Sequence, residues 1–142
     1  MNINAKKTLQ LHDLKYSKQR EQIIEALANL HQPISVEELY SLLKSSGKLM
    51  NLSTVYRTVD ALSTSGLVEK VYNSITNNNL IQLSQNHHQH YLMCVSCHKM
   101  IPIDYCPMKE LLDYIDKTYE FEVTSHQLEI SGYCKECKEK VG

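Results

Sequence analysis

Nothing in this sequence approaches the run of about 18 apolar residues that a membrane-spanning helix requires. The opening stretch, MNINAKKTLQLHDL, has two lysines but no continuous apolar segment after them, so it does not read as a secretory signal. There is no internal repeat, and the only biased tract is the short Asn run at 77–79. A large excess of one charge is missing too. The formal net charge is −1, which excludes a globally basic nucleic-acid coat protein. These absences point to a cytoplasmic protein with no membrane partner. In that reducing setting the five cysteines are expected to bind metal rather than form disulfides.

The charge is unevenly spread. Residues 1–72 carry nine Lys/Arg against seven Asp/Glu, whereas residues 73–142 carry six against nine. At 142 residues the chain has room for one large domain or two small ones. The front half shows helical spacing in KQREQIIEALANL (Ile23, Ile24, Leu27 and Leu30), broken by Pro33. Ser35 is expected to cap a second helix over VEELYSLLK, with Glu38 completing a capping box and Gly47 as the stop. A third helix follows over STVYRTVDALSTSG, with Ser53 as N-cap and Gly66 as its end. The period then changes. LVEKVY and NLIQLSQ alternate like strands around a turn-rich NSITNNN, which makes a hairpin. Three helices and a hairpin are the order of a winged helix-turn-helix, although a generic small α+β domain would read similarly.

The back half reads as β-β-α-β. Short strands flank Cys94 and Cys97, a helix over PMKELLDYIDKTY opens at Pro107, and FEVTSHQLEISGYC alternates as a strand ending at Gly132. Cys94-x-x-Cys97 and Cys134-x-x-Cys137 are two knuckles that together supply four thiolates, the pattern of a closed tetrahedral zinc site. With all four positions filled, that zinc is structural. A zinc deaminase is excluded, because His88-Gln89-His90 lacks the required glutamate and no proline precedes Cys94. No catalytic residue is assigned, and no small organic substrate is expected.

Three histidines, His87, His88 and His90, stand just before the first knuckle. On a strand His88 and His90 share one face and His87 takes the other. His126 can complete a second metal site, with a carboxylate from Asp104, Glu110 or Glu122; the alternative is a polar strand edge with surface imidazoles. His12, His31 and His98 read as surface groups. Cys106, just before Pro107, reads as a small buried apolar residue.

Three segments, STVYRTVDALSTSGLVEK, the histidines before CVSC, and TSHQLEISGYCKEC, together resemble the ferric uptake regulator (Fur) family of bacterial metal-sensing transcription regulators. The resemblance runs from KYSKQRE at residue 15 to the last knuckle. It implies an α+β chain: a winged-helix DNA-binding domain over residues 1–84 and a small α/β dimerisation and metal-binding domain over residues 85–142. Carried over by position, Tyr56 and Arg57 fall on a recognition helix with Ser53 beside them, Arg20 approaches DNA, and Thr54 and Lys15 contact phosphates.

The resemblance also implies a homodimer on a double-stranded DNA operator, a structural zinc, and a regulatory metal that governs DNA binding. The CPM at 106–108 is most similar to the zinc uptake regulator (Zur) branch, and His and Cys donors suit zinc better than iron or manganese. The implied function is a zinc-responsive repressor of metal-uptake genes. A peroxide- or iron-sensing regulator and a zinc-stabilised interaction module are the alternatives. The tentative regulatory set is His88, His90, His126, Glu110, His87 and Asp104. The chain departs from the family in three respects: His90 lies four residues before Cys94, with Tyr91 where a histidine is usual; Gln82 stands where the wing supplies a Glu, Asp or Cys ligand; and His31 lies two residues earlier than the usual histidine before VEELY. A β-bulge in this strand would re-aim the cluster.

Overall fold

The structure is a computed structural model that describes residues 3–84, 90–103 and 105–141. The chain divides into two compact units, Met1–Ser84 and Gln85–Gly142. His87, His88 and Asp104 lie outside the described residues.

The first unit runs α1 (Ala5–Leu11), α2 (Lys18–Ala28), α3 (Val36–Ser45), α4 (Leu52–Thr64), β1 (Val68–Asn73) and β2 (Asn78–Leu83). Each helix starts at a side chain that takes up an otherwise orphaned backbone N–H. Asn4 accepts from Lys7 N, and Ser17 accepts from Arg20 N. At α3 the expected capping box forms in full, with Ser35 Oγ accepting from Glu38 N while Glu38 Oε1 accepts from Ser35 N. At α4 the cap is Asn51, whose Oδ1 accepts from Thr54 N at 2.9 Å; Ser53, expected in that role, lies inside the helix. The Ser53 hydroxyl instead donates to Asn51 Oδ1, so the shorter Ser side chain supports the cap rather than forming it.

Helical stripes meet in one core. Leu9, Ile23, Ile24, Leu39, Val55 and Leu62 have no exposed surface. Helix α1 was not expected, because only Ala5 and Leu9 mark its buried face. Burying those two against the helical core is what fixes it. Strands β1 and β2 pair antiparallel from Val68↔Leu83 to Asn73↔Asn78. At the tip, buried Asn73 accepts from Ile75 N and Thr76 N, closing the loop with its own side chain. Ile34 and Ile81 exchange both backbone bonds, which pins the α2–α3 connection to the hairpin. This is a winged helix-turn-helix with one added N-terminal helix.

The second unit runs β3 (His90–Cys94), β4 (Met100–Ile103), α5 (Lys109–Tyr119), β5 (Glu129–Gly132) and α6 (Lys135–Val141). Its sheet has the order β4-β3-β5. The β3–β4 pair is antiparallel, and β3–β5 is parallel with α5 in the crossover. Three points differ from the expectation. The strand foreseen over 121–132 is confined to Glu129–Gly132, because the parallel ladder with β3 begins only at Tyr91↔Glu129. The chain after Cys134 forms a helix that the sequence reading left out. Pro107 stands in the turn before α5 rather than in its first turn.

Candidate metal centres and DNA-facing helix

The parallel pairing of β3 with β5 sets Cys94 opposite Gly132, two residues before Cys134. Each knuckle then turns its second cysteine back toward the first. Cys94, Cys97, Cys134 and Cys137 come together with all four sulfurs within 4.8 Å of one another. Cys97 Sγ and Cys134 Sγ are 3.7 Å apart, far beyond a disulfide bond. The edge of a ZnS₄ tetrahedron with Zn–S near 2.3 Å is about 3.8 Å, so the spacing fits zinc.

Backbone donors prepare the site. Cys134 N and Cys97 N both point at Cys94 Sγ, at 3.4 and 3.5 Å, and these amides lower the Cys94 thiol to about 5. Cys134 is pushed up to about 12. A backbone hydrogen bond at Cys137 favours its anion, but burial and the sulfurs of Cys137, Cys94 and Cys97 outweigh that. Four thiolates this close need a cationic centre, which a divalent ion supplies. The Lys99–Glu136 ion pair across the cluster is exposed and contributes little.

A second cluster forms from the start of β3, the loop before α5 and the segment leading into β5. His90 Nε2 lies 3.1 Å from His126 Nε2, and Cys106 Sγ lies 3.2 Å from the same nitrogen. Tetrahedral zinc with two nitrogens and a sulfur places those pairs about 3.3 and 3.6 Å apart, so a small adjustment accommodates the ion. His90 is buried, and Cys106 and His126 are half-buried. A surface cleft of about 520 Å³ lined by Asp113, Asp116, Glu122 and His126 makes His126 reachable from an acidic side.

Of the expected regulatory residues, His90 and His126 meet, whereas Glu110 stands exposed on the first turn of α5 outside the cluster. Cys106 was missed as a candidate ligand. Its only signal was the CPM motif, since its 20-residue separation from His126 leaves no local pattern. No bulge interrupts the described β3–β4 ladder, where His90↔Ile103 and Tyr91↔Pro102 follow in simple register. Alternation then points His90 at His126 and buries Tyr91 on the opposite face of the sheet.

On α4, Val55 and Val59 face the core, which turns Ser53, Tyr56 and Arg57 to solvent. Arg57 Nη2 reaches Thr54 Oγ1 at 3.3 Å. Tyr56 donates its hydroxyl to Glu37 on α3. Arg20 Nη1 donates to the Lys15 carbonyl at 2.6 Å, fixing the entry to α2, and Lys15 itself is exposed.

Comparison with known proteins agrees with this arrangement. The profile of the Ferric uptake regulator family matches residues 12–131. The ferric uptake regulation protein of Yersinia pestis is 31% identical over 137 residues, covering 94% of this chain and 91% of that protein. A peroxide-responsive repressor of Staphylococcus epidermidis is 28% identical, over 86% of this chain and 80% of its own. The ferric uptake regulator of Vibrio cholerae superposes with a TM-score of 0.78 at 29% identity, over 92% of this chain and all of that one. The two units and their cysteine knuckles are carried on a chain that belongs to the ferric uptake regulator family.

Proposed function

We propose that the chain is a zinc-responsive, homodimeric, DNA-binding transcriptional repressor of metal-uptake genes, acting in the cytoplasm without any catalytic step. The observation that carries this reading is the His90–Cys106–His126 cluster beside a complete four-cysteine site. Four sulfurs close the first site around a resident ion. Among the described residues three donors gather at the second site, and the ion proposed there is the one that exchanges. Two imidazoles and a thiol select zinc over the harder iron(II) and manganese(II). His90 opens β3, the first described strand of the second unit. Binding that favours one arrangement of the winged helices would couple zinc to operator affinity.

Ser53, Tyr56 and Arg57 are the proposed base-reading set, with Lys15, Arg20 and Thr54 at the backbone. The test is selection of duplexes from sheared genomic DNA, with the four-cysteine site kept full and free zinc varied. Zinc-dependent enrichment of defined sequences is expected, and Arg57→Ala should weaken binding by about 1–3 kcal/mol. Equal binding with and without free zinc would reject the sensing role. Response to iron instead, with one added oxygen on a His90 or His126 peptide after peroxide, would favour the peroxide-sensing alternative.

The homodimer rests on surface chemistry. Helix α5 buries none of its residues, although Leu111, Tyr114 and Tyr119 make one side of it apolar. Edge strand β5 adds Ile130, and Phe121 soon after α5 and Tyr133 just after β5 each leave over half their surface exposed. Apolar area on this scale marks an interface in a soluble chain. A second copy is the occupant, as the family's regulators act in pairs. Ile130→Asp should convert the protein to a monomer by sedimentation velocity while leaving both zinc equivalents bound; a persistent dimer would place the interface elsewhere.

A further inference from the structure

We infer that Glu37 sets the base preference of Tyr56, by holding the phenol proton and leaving the phenol oxygen able only to accept a hydrogen bond from DNA. The inference rests on the DNA-binding reading above and goes beyond it, by assigning a specificity role to a residue of α3 that faces no base itself.

Glu37 is the second residue of α3, and Tyr56 lies in the second turn of α4. The Tyr56 hydroxyl donates to Glu37 Oε1 across the helix-turn-helix, and both side chains are exposed on that surface. Glu37 is firmly ionised. Its carboxyl is held below the usual range first by the Tyr56 hydroxyl, then by its own backbone N–H, with a smaller share from Ser35. Tyr56 is raised, chiefly by the same bond to Glu37, so at neutral pH the proton stays on the phenol and points at the carboxylate. The neighbouring cation, Arg57, is turned to Thr54.

A phenol has one proton and two lone pairs. With the proton committed to Glu37, Tyr56 can offer a base only the lone pairs. In the major groove, adenine N6 and cytosine N4 are the exocyclic donors, whereas guanine O6 and N7 and thymine O4 all accept. An acceptor-only phenol therefore favours adenine or cytosine on the strand it reads and disfavours guanine or thymine there. A glutamine at position 37 removes that restriction. Its amide can turn either oxygen or nitrogen to the phenol, so the hydroxyl becomes free to donate to guanine or thymine. Removing the charge also lessens repulsion from phosphates, but that change is the same for every sequence. Base choice is thus the informative readout.

The experiment is selection from a randomised duplex pool by full-length, zinc-loaded protein, run for the parent chain, Glu37→Gln, Tyr56→Phe and the double variant. The base position whose preference flattens in Tyr56→Phe is the one Tyr56 reads. There the parent should favour adenine or cytosine over guanine or thymine by about tenfold, the scale of leaving an acceptor facing an acceptor. Glu37→Gln should reduce this to about twofold or less, and in the Tyr56→Phe background it should change nothing. A Glu37→Gln profile identical to the parent at that position, or an equal Glu37→Gln effect without the phenol, overturns the role of Glu37 alone. A parent protein that selects no sequence at all overturns the DNA-binding reading and this inference with it.

Discussion

Replacing Cys134 with serine is expected to unfold the second unit while the first stays folded. The reason is how little else the second unit buries. Among the described residues its buried apolar positions are Tyr91, Met93 and Met100 plus three of the four knuckle cysteines, and α5 adds none. The first unit assembles fourteen buried residues into one cluster. A unit with so small a core depends on its metal, and structural zinc in comparable sites contributes about 10–16 kcal/mol of apparent binding energy that is also folding energy. In Cys134→Ser the backbone donor at Cys94 Sγ is disturbed as well, because that N–H belongs to residue 134. Thermal melting followed by far-UV circular dichroism should show the low-stability transition lost and the helical one retained, with one fewer zinc per chain by atomic emission. Unchanged melting with the zinc gone would mean the cluster is not structural.

Cys106→Ser is expected to act on the other ion. A hydroxyl in place of the thiolate removes the soft donor 3.2 Å from His126 Nε2 and leaves two imidazoles. The loss should exceed the roughly 10–100-fold that removal of an outer-sphere partner costs a zinc site. Competition against a chromophoric chelator should show the second equivalent released at least a hundredfold more readily, with the first untouched. Zinc-dependent DNA binding should vanish in the same variant, because a coupling of about 1–3 kcal/mol cannot survive loss of the ligand that supplies it. Cys106→Asp separates donor identity from mere occupancy. A carboxylate restores the ligand but shifts preference toward iron and manganese. If Cys106→Ser retained parental affinity for the second ion, Cys106 would not be a ligand.

Much of the fold was readable from the sequence. Helices α2 to α4 and the β1–β2 hairpin follow from amphipathic spacing that local propensity and burial both support. The capping box at Ser35 and Glu38 could be read to the residue, because both partners lie within one turn. Helix α1 could not, since two buried residues give no period. The segment 121–128 alternates in sequence but meets no ladder, as strand assignment depends on a partner that the alternation does not specify. Of the metal centres, the four-cysteine set was legible because spacing alone brings each pair together. Cys106 and His126 are joined only by the path of the chain around α5, and the Glu37–Tyr56 bond spans two helices. Contacts of that kind arise from tertiary packing and leave little trace in the sequence.

Strand β3 begins at His90 and ends at Cys94, so a single five-residue segment carries one candidate ligand of each cluster. The backbones of those ligands are therefore about 13 Å apart along a nearly straight run. On the proposed reading the four-cysteine ion is part of the fold and the other ion is the signal, so a chain that lacks the first has no folded β3 on which to present His90. On that reading severe zinc scarcity would also lower the abundance of the folded protein, which would then be a second, slower record of zinc supply.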